Sequence, residues 1–288
     1  MFSRDDVIWG MVLPAAWAVV MLLVSSLPWR KGRGRATAPW GMALAIGGAF
    51  AMAYSGIAGR PAFPPIEAEG WLVYLALVAG IIGIIATMMR RWGWIGAVLS
   101  AAALAATAWM ILRPPGGASW VIMAIVAAAM ISWWAGMELL ARQVRGPALP
   151  VLLAIFSVAA AMVLMNSATQ TYAKMAGAVV IVLVVAIALA WFVQIDLAGG
   201  GVLAVAIVIL GLLVAGHAYA EVTWTDALLL ALAPLAAWSG MLPAVRQRKS
   251  VAVFVAAIAV AIVLSVVMAP TIVGLAHTYH EQMESTAE

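Results

Sequence analysis

Ten apolar stretches follow one another along the chain, separated by short polar gaps. They run Val7–Leu27, Pro39–Ala58, Gly70–Met89, Trp94–Leu112 and Ala118–Leu140, then Ala148–Asn166, Lys174–Ile195, Gly200–Ala220, Asp226–Val245 and Val251–Pro270. None alternates apolar and polar residues as a barrel strand does. Each approaches the roughly 20 residues that an α-helix needs to cross about 30 Å of hydrocarbon, where a helix satisfies its own backbone groups. The pattern predicts an all-α, polytopic transmembrane helix bundle of ten spans. Residues 1–288 read as one integral membrane domain.

Composition sharpens this. The chain is 67% hydrophobic and 9% charged, against roughly 25% charged in soluble domains. Ten spans of about 20 residues leave only short loops and two small tails. Any chemistry is therefore expected in the membrane or at its rims. Cysteine is absent, which removes disulfides, a thiol nucleophile and cysteine metal sites.

Charge placement sets the threading. Arg30, Lys31, Arg33 and Arg35 fill the first gap, Arg90 and Arg91 the third, Arg142 and Arg145 the fifth, and Arg246, Arg248 and Lys249 the ninth. Such alternation is the mark of the positive-inside rule. It predicts both termini on the outer side, in a bacterial inner membrane. Met1 to Asp6 sets Arg4 against Asp5 and Asp6, so the first apolar run is expected to stay as an anchor. The isoelectric point near 9.8 then reflects topogenic charge at the inner face, with anionic lipid head groups as partners and no nucleic acid. A protein partner or a homo-oligomer fits equally well. Tryptophans Trp29, Trp40, Trp92, Trp94 and Trp191 fall at inner ends, and Trp9, Trp71, Trp120 and Trp224 at outer ends, as an interfacial belt. Pro14 and Pro234 fall inside spans, where each removes a backbone donor and is expected to kink its helix.

A shift of 104 residues lays Trp134-Ala135-Gly136-Met137 over Trp238-Ser239-Gly240-Met241, Arg142-Gln143 over Arg246-Gln247, and Trp120 over Trp224. Over residues 93–145 this gives twelve identities without a gap. The register suggests a parallel four-helix repeat with units 39–145 and 146–249, flanked by helices 7–27 and 251–270. Convergent helix ends are the competing explanation. Parallel repeats occur in carriers, with the site between the units.

Candidate chemistry is sparse. Glu138 lies near the inner rim with Arg142 four residues on, the spacing of an intrahelical ion pair. A proton-coupling carboxylate is the alternative. At the outer rim, Asn166, Gln170 and Lys174 recur every four residues and share a face if the sixth helix runs on past the membrane. His217, Glu221 and Asp226 stand at the junction of the eighth and ninth spans. These six are the candidate substrate residues of an outward vestibule; two ordinary polar turns are the bland alternative. Asp196 beside Gly199-Gly200-Gly201 reads as a turn. His277, His280, Glu281 and Glu284 share a helical face with metal-ligand chemistry, but a terminal polar segment reads first as a solvated end. No HExxH, GxSxG or Walker pattern is present. Hence no catalytic residue, cofactor or metal is expected. Small residues at Gly47/Ala51, Gly93/Ala97, Gly211/Ala215, Gly216/Ala220 and Gly240/Ala244 are spaced for close helix approach.

The leading expectation is a permease-like carrier or facilitator of a small solute. The alternatives are a non-catalytic membrane subunit or scaffold, and a lipid-handling membrane enzyme using His217 with Glu221 or Asp226. The count of ten spans is similar to that of the drug and metabolite exporter superfamily. Those carriers look like inward-N, inverted five-plus-five designs, whereas this chain reads outward-N and parallel, and no residue role is carried over.

Overall fold

The computed structural model describes residues 7–27, 37–65, 67–89, 93–113, 119–144, 146–167 and 170–241. Among them, eight helices are long and apolar enough to cross a membrane: α1 (Ile8–Ser26), α2 (Pro39–Ile57), α3 (Ala68–Met88), α4 (Gly93–Leu112), α5 (Trp120–Gln143), α6 (Ala148–Asn166), α7 (Gln170–Leu189) and α8 (Gly201–Tyr219). A shorter element, α9 (Trp224–Leu232), continues as a 3₁₀ turn from Pro234 to Met241. The all-helical, membrane-type architecture stands. Ten long spans do not appear among the described residues. The ninth stretch starts as a short helix, and the tenth, with His277 and His280, lies outside them.

The reason for the short α9 is local. Pro234 has no N–H, so the carbonyl of Leu230 loses its regular helical donor. The N–H of Ala233 reaches both Leu229 and Leu230 carbonyls instead, and the chain tightens to 3₁₀. Trp133 Nε1 donates to the Ala231 carbonyl at 2.8 Å, tying the weakened end of α9 to α5. Pro14 acts differently. It sits just after a π-helical turn at Ile8–Val12, where the N–H of Leu13 donates to the Ile8 carbonyl. The wider turn places the ring where the regular ladder has already been broken. Both prolines therefore change the helical hydrogen-bond pattern.

The core is built around α8. Every residue from Gly201 to Gly216 is buried, as expected of a helix apolar on all faces. It touches α2, α3, α4, α5, α6, α7 and α9. Around it, α1–α2, α2–α3, α3–α4, α4–α5 and α6–α7 pack as sequential neighbours, and α7 closes against α1 and α2. In lipid the attraction between such helices is dispersion, which demands close approach. Gly47 supplies it between α2 and α3: a Cβ there would stand 2.6 Å from the Ala76 carbonyl oxygen. Gly48 leaves room for the Trp17 indole, whose Nε1 donates to the Leu44 carbonyl at 2.9 Å.

Candidate functional site

At the end of the bundle that carries Arg142, the helix termini draw apart around a cavity of about 1220 Å³. Its wall includes Ser25 and Ser26 of α1, Thr87 of α3, Ser100 of α4, Trp134, Glu138 and Arg142 of α5, and Gln194 and Asp196 of the α7–α8 connection. The ends of α1, α3 and α5, the starts of α2, α4 and α6, and the α7–α8 connection meet there.

The α7–α8 connection forms one side. The N–H of Thr37 donates to the Gln194 carbonyl at 2.9 Å, and Thr37 Oγ1 accepts from the Asp196 N–H at 2.9 Å. Asp196 Oδ1 accepts from the Ala198 N–H at 3.0 Å, an Asx-type turn. Asp196 is thus part of a turn, as its neighbourhood in the sequence suggests. Gly199 follows in the left-handed region at φ +80°, a conformation that L side chains disfavour. Gly200 has the Pro39 carbonyl and the Gly83 Cα where a Cβ would stand, each at 3.2 Å.

Glu138 holds this connection. It is 4% exposed. Arg142 Nε donates to its Oε1 at 3.2 Å, the expected i,i+4 pair. The N–H of Gly199 donates to both carboxylate oxygens, at 2.9 and 3.1 Å. A carboxylate at this position also complements the positive N-terminal end of α8. The Gly199 bond is invisible to sequence reasoning, since only the fold brings residue 138 to residue 199. One turn deeper on the same face, Trp134 is 9% exposed and its Nε1 has no hydrogen-bond partner. A buried N–H without an acceptor is costly, and nothing in the sequence marks it out.

The six residues expected at the opposite rim are differently placed. Asn166 ends α6, Ser167 makes a turn, and Gln170 starts α7. The sixth helix does not run on, so Asn166, Gln170 and Lys174 do not share one helical face. Asn166 and Gln170 are exposed and Lys174 is half-buried. His217 Nδ1 lies 2.7 Å from the Val222 carbonyl, and its ring packs on Trp224 with centroids 4.0 Å apart. Thr223 caps α9 by accepting from the Asp226 N–H at 3.1 Å, and it donates to Asp226 Oδ2 at 2.7 Å. Asp226 thus serves the cap, and Glu221 is exposed at φ +23° in the turn.

Three tyrosines make the longer ties at that rim. Tyr172 Oη donates to Glu69 Oε2 at 3.1 Å, linking α7 to α3. Tyr219 Oη donates to the Ile111 carbonyl at 2.6 Å, linking α8 to the last turn of α4. Tyr74 Oη reaches the carbonyls of Pro61 and Ala62 at 3.3 and 3.2 Å, holding the loop over α3. Both ends of the bundle are thus cross-tied, and the Arg142 end also holds the cavity, whose wall mixes polar and apolar residues.

No three histidine, aspartate or glutamate side chains are grouped to hold a metal ion among the described residues. Compared with known proteins, the chain matches no family model, no curated protein and no solved structure.

Proposed function

We propose that this membrane protein is a permease-like carrier or facilitator of a small solute, entered at the end that holds Arg142. The cavity of about 1220 Å³ carries this reading. The polar side chains in its wall contrast with the apolar run Gly201–Gly216 of α8, and binding sites in carriers lie where helix ends and broken segments line a cavity. The ties Tyr172–Glu69 and Tyr219–Ile111 join helices at the far end, away from the cavity. The full threading belongs to the same reading: ten spans in a bacterial inner membrane, with both termini outside and the cavity facing the cytoplasm.

The parallel repeat is supported by one structural correspondence. Ser119 and Thr223, equivalent at a shift of 104, both cap helices by accepting from the N–H three residues on. The units are otherwise unequal, because α3 packs along α4 more extensively than α7 along α8. Transport does not depend on the repeat.

A scaffold acting through partners is the second reading, favoured by the absence of any polar side chain in α8 between Gly201 and Gly216. A lipid-handling enzyme is the third, and it rests on residue type at His217, Glu221 and Asp226.

Because the chain has no cysteine, Gln194→Cys places a single thiol at the cavity wall. Proteoliposomes holding this variant should pass glycerol, a pentitol or small amino acids faster than empty vesicles. A bulky maleimide on the thiol should abolish the difference. Equal rates with and without protein for every solute would overturn the carrier reading and favour the scaffold.

A further inference from the structure

Of the eight spans, α1 and α5 are the least covered by the rest of the bundle. They expose different surfaces. α1 presents large side chains such as Val12, Val20 and Leu23, which lipid tails solvate well. α5 presents Ala124, Ala128 and Ser132, all exposed and four residues apart, so they form one row along the helix. Gly136 continues the row. Small residues in such a row mark where another helix comes close, because dispersion between helices needs short distances.

The inner end of the row is already covered. A Cβ added at Gly136 would stand 3.1 Å from Leu235 Cδ2 and 3.9 Å from Trp238 Nε1. Both belong to the 3₁₀ segment Pro234–Met241, with which the described residues end. The chain therefore leaves the described region beside α5, at this row. A second copy of the protein would find that end of the row taken by the chain itself.

The segment that follows carries a matching pattern. Residues 242–250, with Arg246, Arg248 and Lys249 among them, lead into the apolar stretch Val251–Pro270. Within it Ala257, Ala261, Ser265 and Ala269 recur every four residues. The other three rows of a helix over this stretch hold at most two small residues each. Short connections usually join antiparallel neighbours, and in that sense the depths agree. At 1.5 Å per residue, Ser132 lies about 15 Å from Arg142, and Ala261 about 18 Å from Lys249. Ala128 and Ser265 stand at about 21 and 24 Å, and Ala124 and Ala269 at about 27 and 30 Å. Each pair differs by about 3 Å, less than one helical turn.

We propose that Val251–Pro270 crosses the membrane antiparallel to α5 and packs on this row, Ser132 against Ala261, Ala128 against Ser265 and Ala124 against Ala269. Each serine then meets an alanine, which keeps the two backbones close. Such packing rests on the ten-span threading proposed above and gives its last span a place. That span braces the helix that brings Glu138 and Arg142 to the cavity.

The chain has no cysteine, so thiol pairs can be introduced into the full-length protein and oxidised in native membranes with copper phenanthroline. Peptide mass spectrometry and non-reducing gels read the bonds. A disulfide needs Cβ atoms about 3.5–4.5 Å apart. Ala128→Cys with Ser265→Cys should close an intramolecular bond, as should Ser132→Cys with Ala261→Cys. Ala128→Cys with Val263→Cys, about half a turn round the last span, should not. No bond in either expected pair would overturn the proposal. So would dimers linked through Ala128→Cys alone, which would give the row to a second copy. Should one pair fail to fold, the other decides. Bulk gives an independent readout: Ala128→Leu should lower the melting temperature, whereas Ala188→Leu, at an exposed position of α7, should not. Equal melting of the two would count against the packing. An impermeant maleimide on Ser285→Cys separates packing from threading. Labelling on intact cells without a disulfide would place the last span elsewhere and leave ten spans standing. Labelling in inverted vesicles alone would mean that the stretch does not cross, and both readings fall together.

Discussion

Glu138 receives the backbone N–H of Gly199 on both carboxylate oxygens, at 2.9 and 3.1 Å, across 61 residues of sequence. Gly199 sits two residues before the first turn of α8, the most buried helix of the bundle. The carboxylate therefore anchors the start of the central helix to α5. Its ion pair with Arg142 is the weaker attachment, because the Arg142 side chain is 63% exposed and exposed pairs contribute less than about 1 kcal/mol.

These two attachments predict an order of stability. Arg142→Ala should cost less than about 1 kcal/mol. Glu138→Gln keeps an oxygen for Gly199 and should cost little more. Glu138→Ala strands the Gly199 N–H and should cost about 1–3 kcal/mol. Thermal melts of the three variants in one detergent check the order. Arg142→Ala equal to Glu138→Ala would mean that the pair, and not the backbone bond, carries the effect. Flux unchanged in Glu138→Gln would also remove a proton-coupling role for this carboxylate.

Gly47 and Gly177 should respond in opposite directions to the same added methyl group. A Cβ at Gly47 would lie 2.6 Å from the Ala76 carbonyl oxygen, so α2 and α3 must separate. Gly47→Ala should destabilise by about 1–3 kcal/mol, the usual penalty for overpacking. Gly177 lies inside α7 with nothing within 4 Å of the added atom. Gly177→Ala should stabilise by roughly 0.5–1 kcal/mol, because glycine loses more backbone freedom in a helix. Chemical denaturation of both variants beside the wild type measures the contrast. A loss of stability in Gly177→Ala would mean that α7 needs glycine for a reason other than space.

Much of the bundle was legible because hydrophobic length is a strong signal in lipid. The stretch Ala148–Asn166 coincides with α6, and Pro39–Ala58 and Gly200–Ala220 each lie within one residue of α2 and α8 at both ends. The start of α7 was misplaced from Gln170 to Lys174, because Gln170, Thr171 and Tyr172 read as polar loop while their backbone is already helical. Tyr172 is buried there by its bond to Glu69, a contact 103 residues apart that spacing cannot reveal. The Glu138–Arg142 pair was legible because its partners are neighbours on one helix. The Glu138–Gly199 bond and the unpartnered Trp134 were not, because both depend on which helices meet. The cavity wall draws on the ends of six helices and on the α7–α8 connection, so no single stretch of sequence reveals it.

Trp133 offers a test of how α9 is held. Its Nε1 donates to the Ala231 carbonyl at 2.8 Å, next to the break that Pro234 imposes. Trp133→Phe keeps a six-membered ring against Phe156, whose centroid is 5.5 Å away, and removes the donor together with the five-membered ring of a buried indole. The cost should exceed the roughly 1 kcal/mol of the hydrogen bond, because a cavity is added, and the part due to the lost bond should fall on α9. Hydrogen exchange should quicken over residues 224–241 and stay unchanged in α1 and α2. Faster exchange across the whole chain would show that α9 does not open independently.

The threading can be read from two positions without altering the core. Gln194 and Thr225 are both exposed, one in the α7–α8 connection and the other in the first turn of α9. They lie at opposite ends of α8, whose length of 19 residues spans about 28 Å. With no native cysteine, Gln194→Cys and Thr225→Cys each introduce one reporter thiol. A membrane-impermeant maleimide applied to intact cells should label Thr225→Cys and spare Gln194→Cys, and inverted vesicles should reverse the pattern. The positive-inside distribution requires that sense, because Gln194 shares its rim with Arg142. Labelling of both from one side would mean that α8 does not cross the membrane. Labelling in the opposite sense would put the cavity on the outer face and make it an uptake mouth facing the environment.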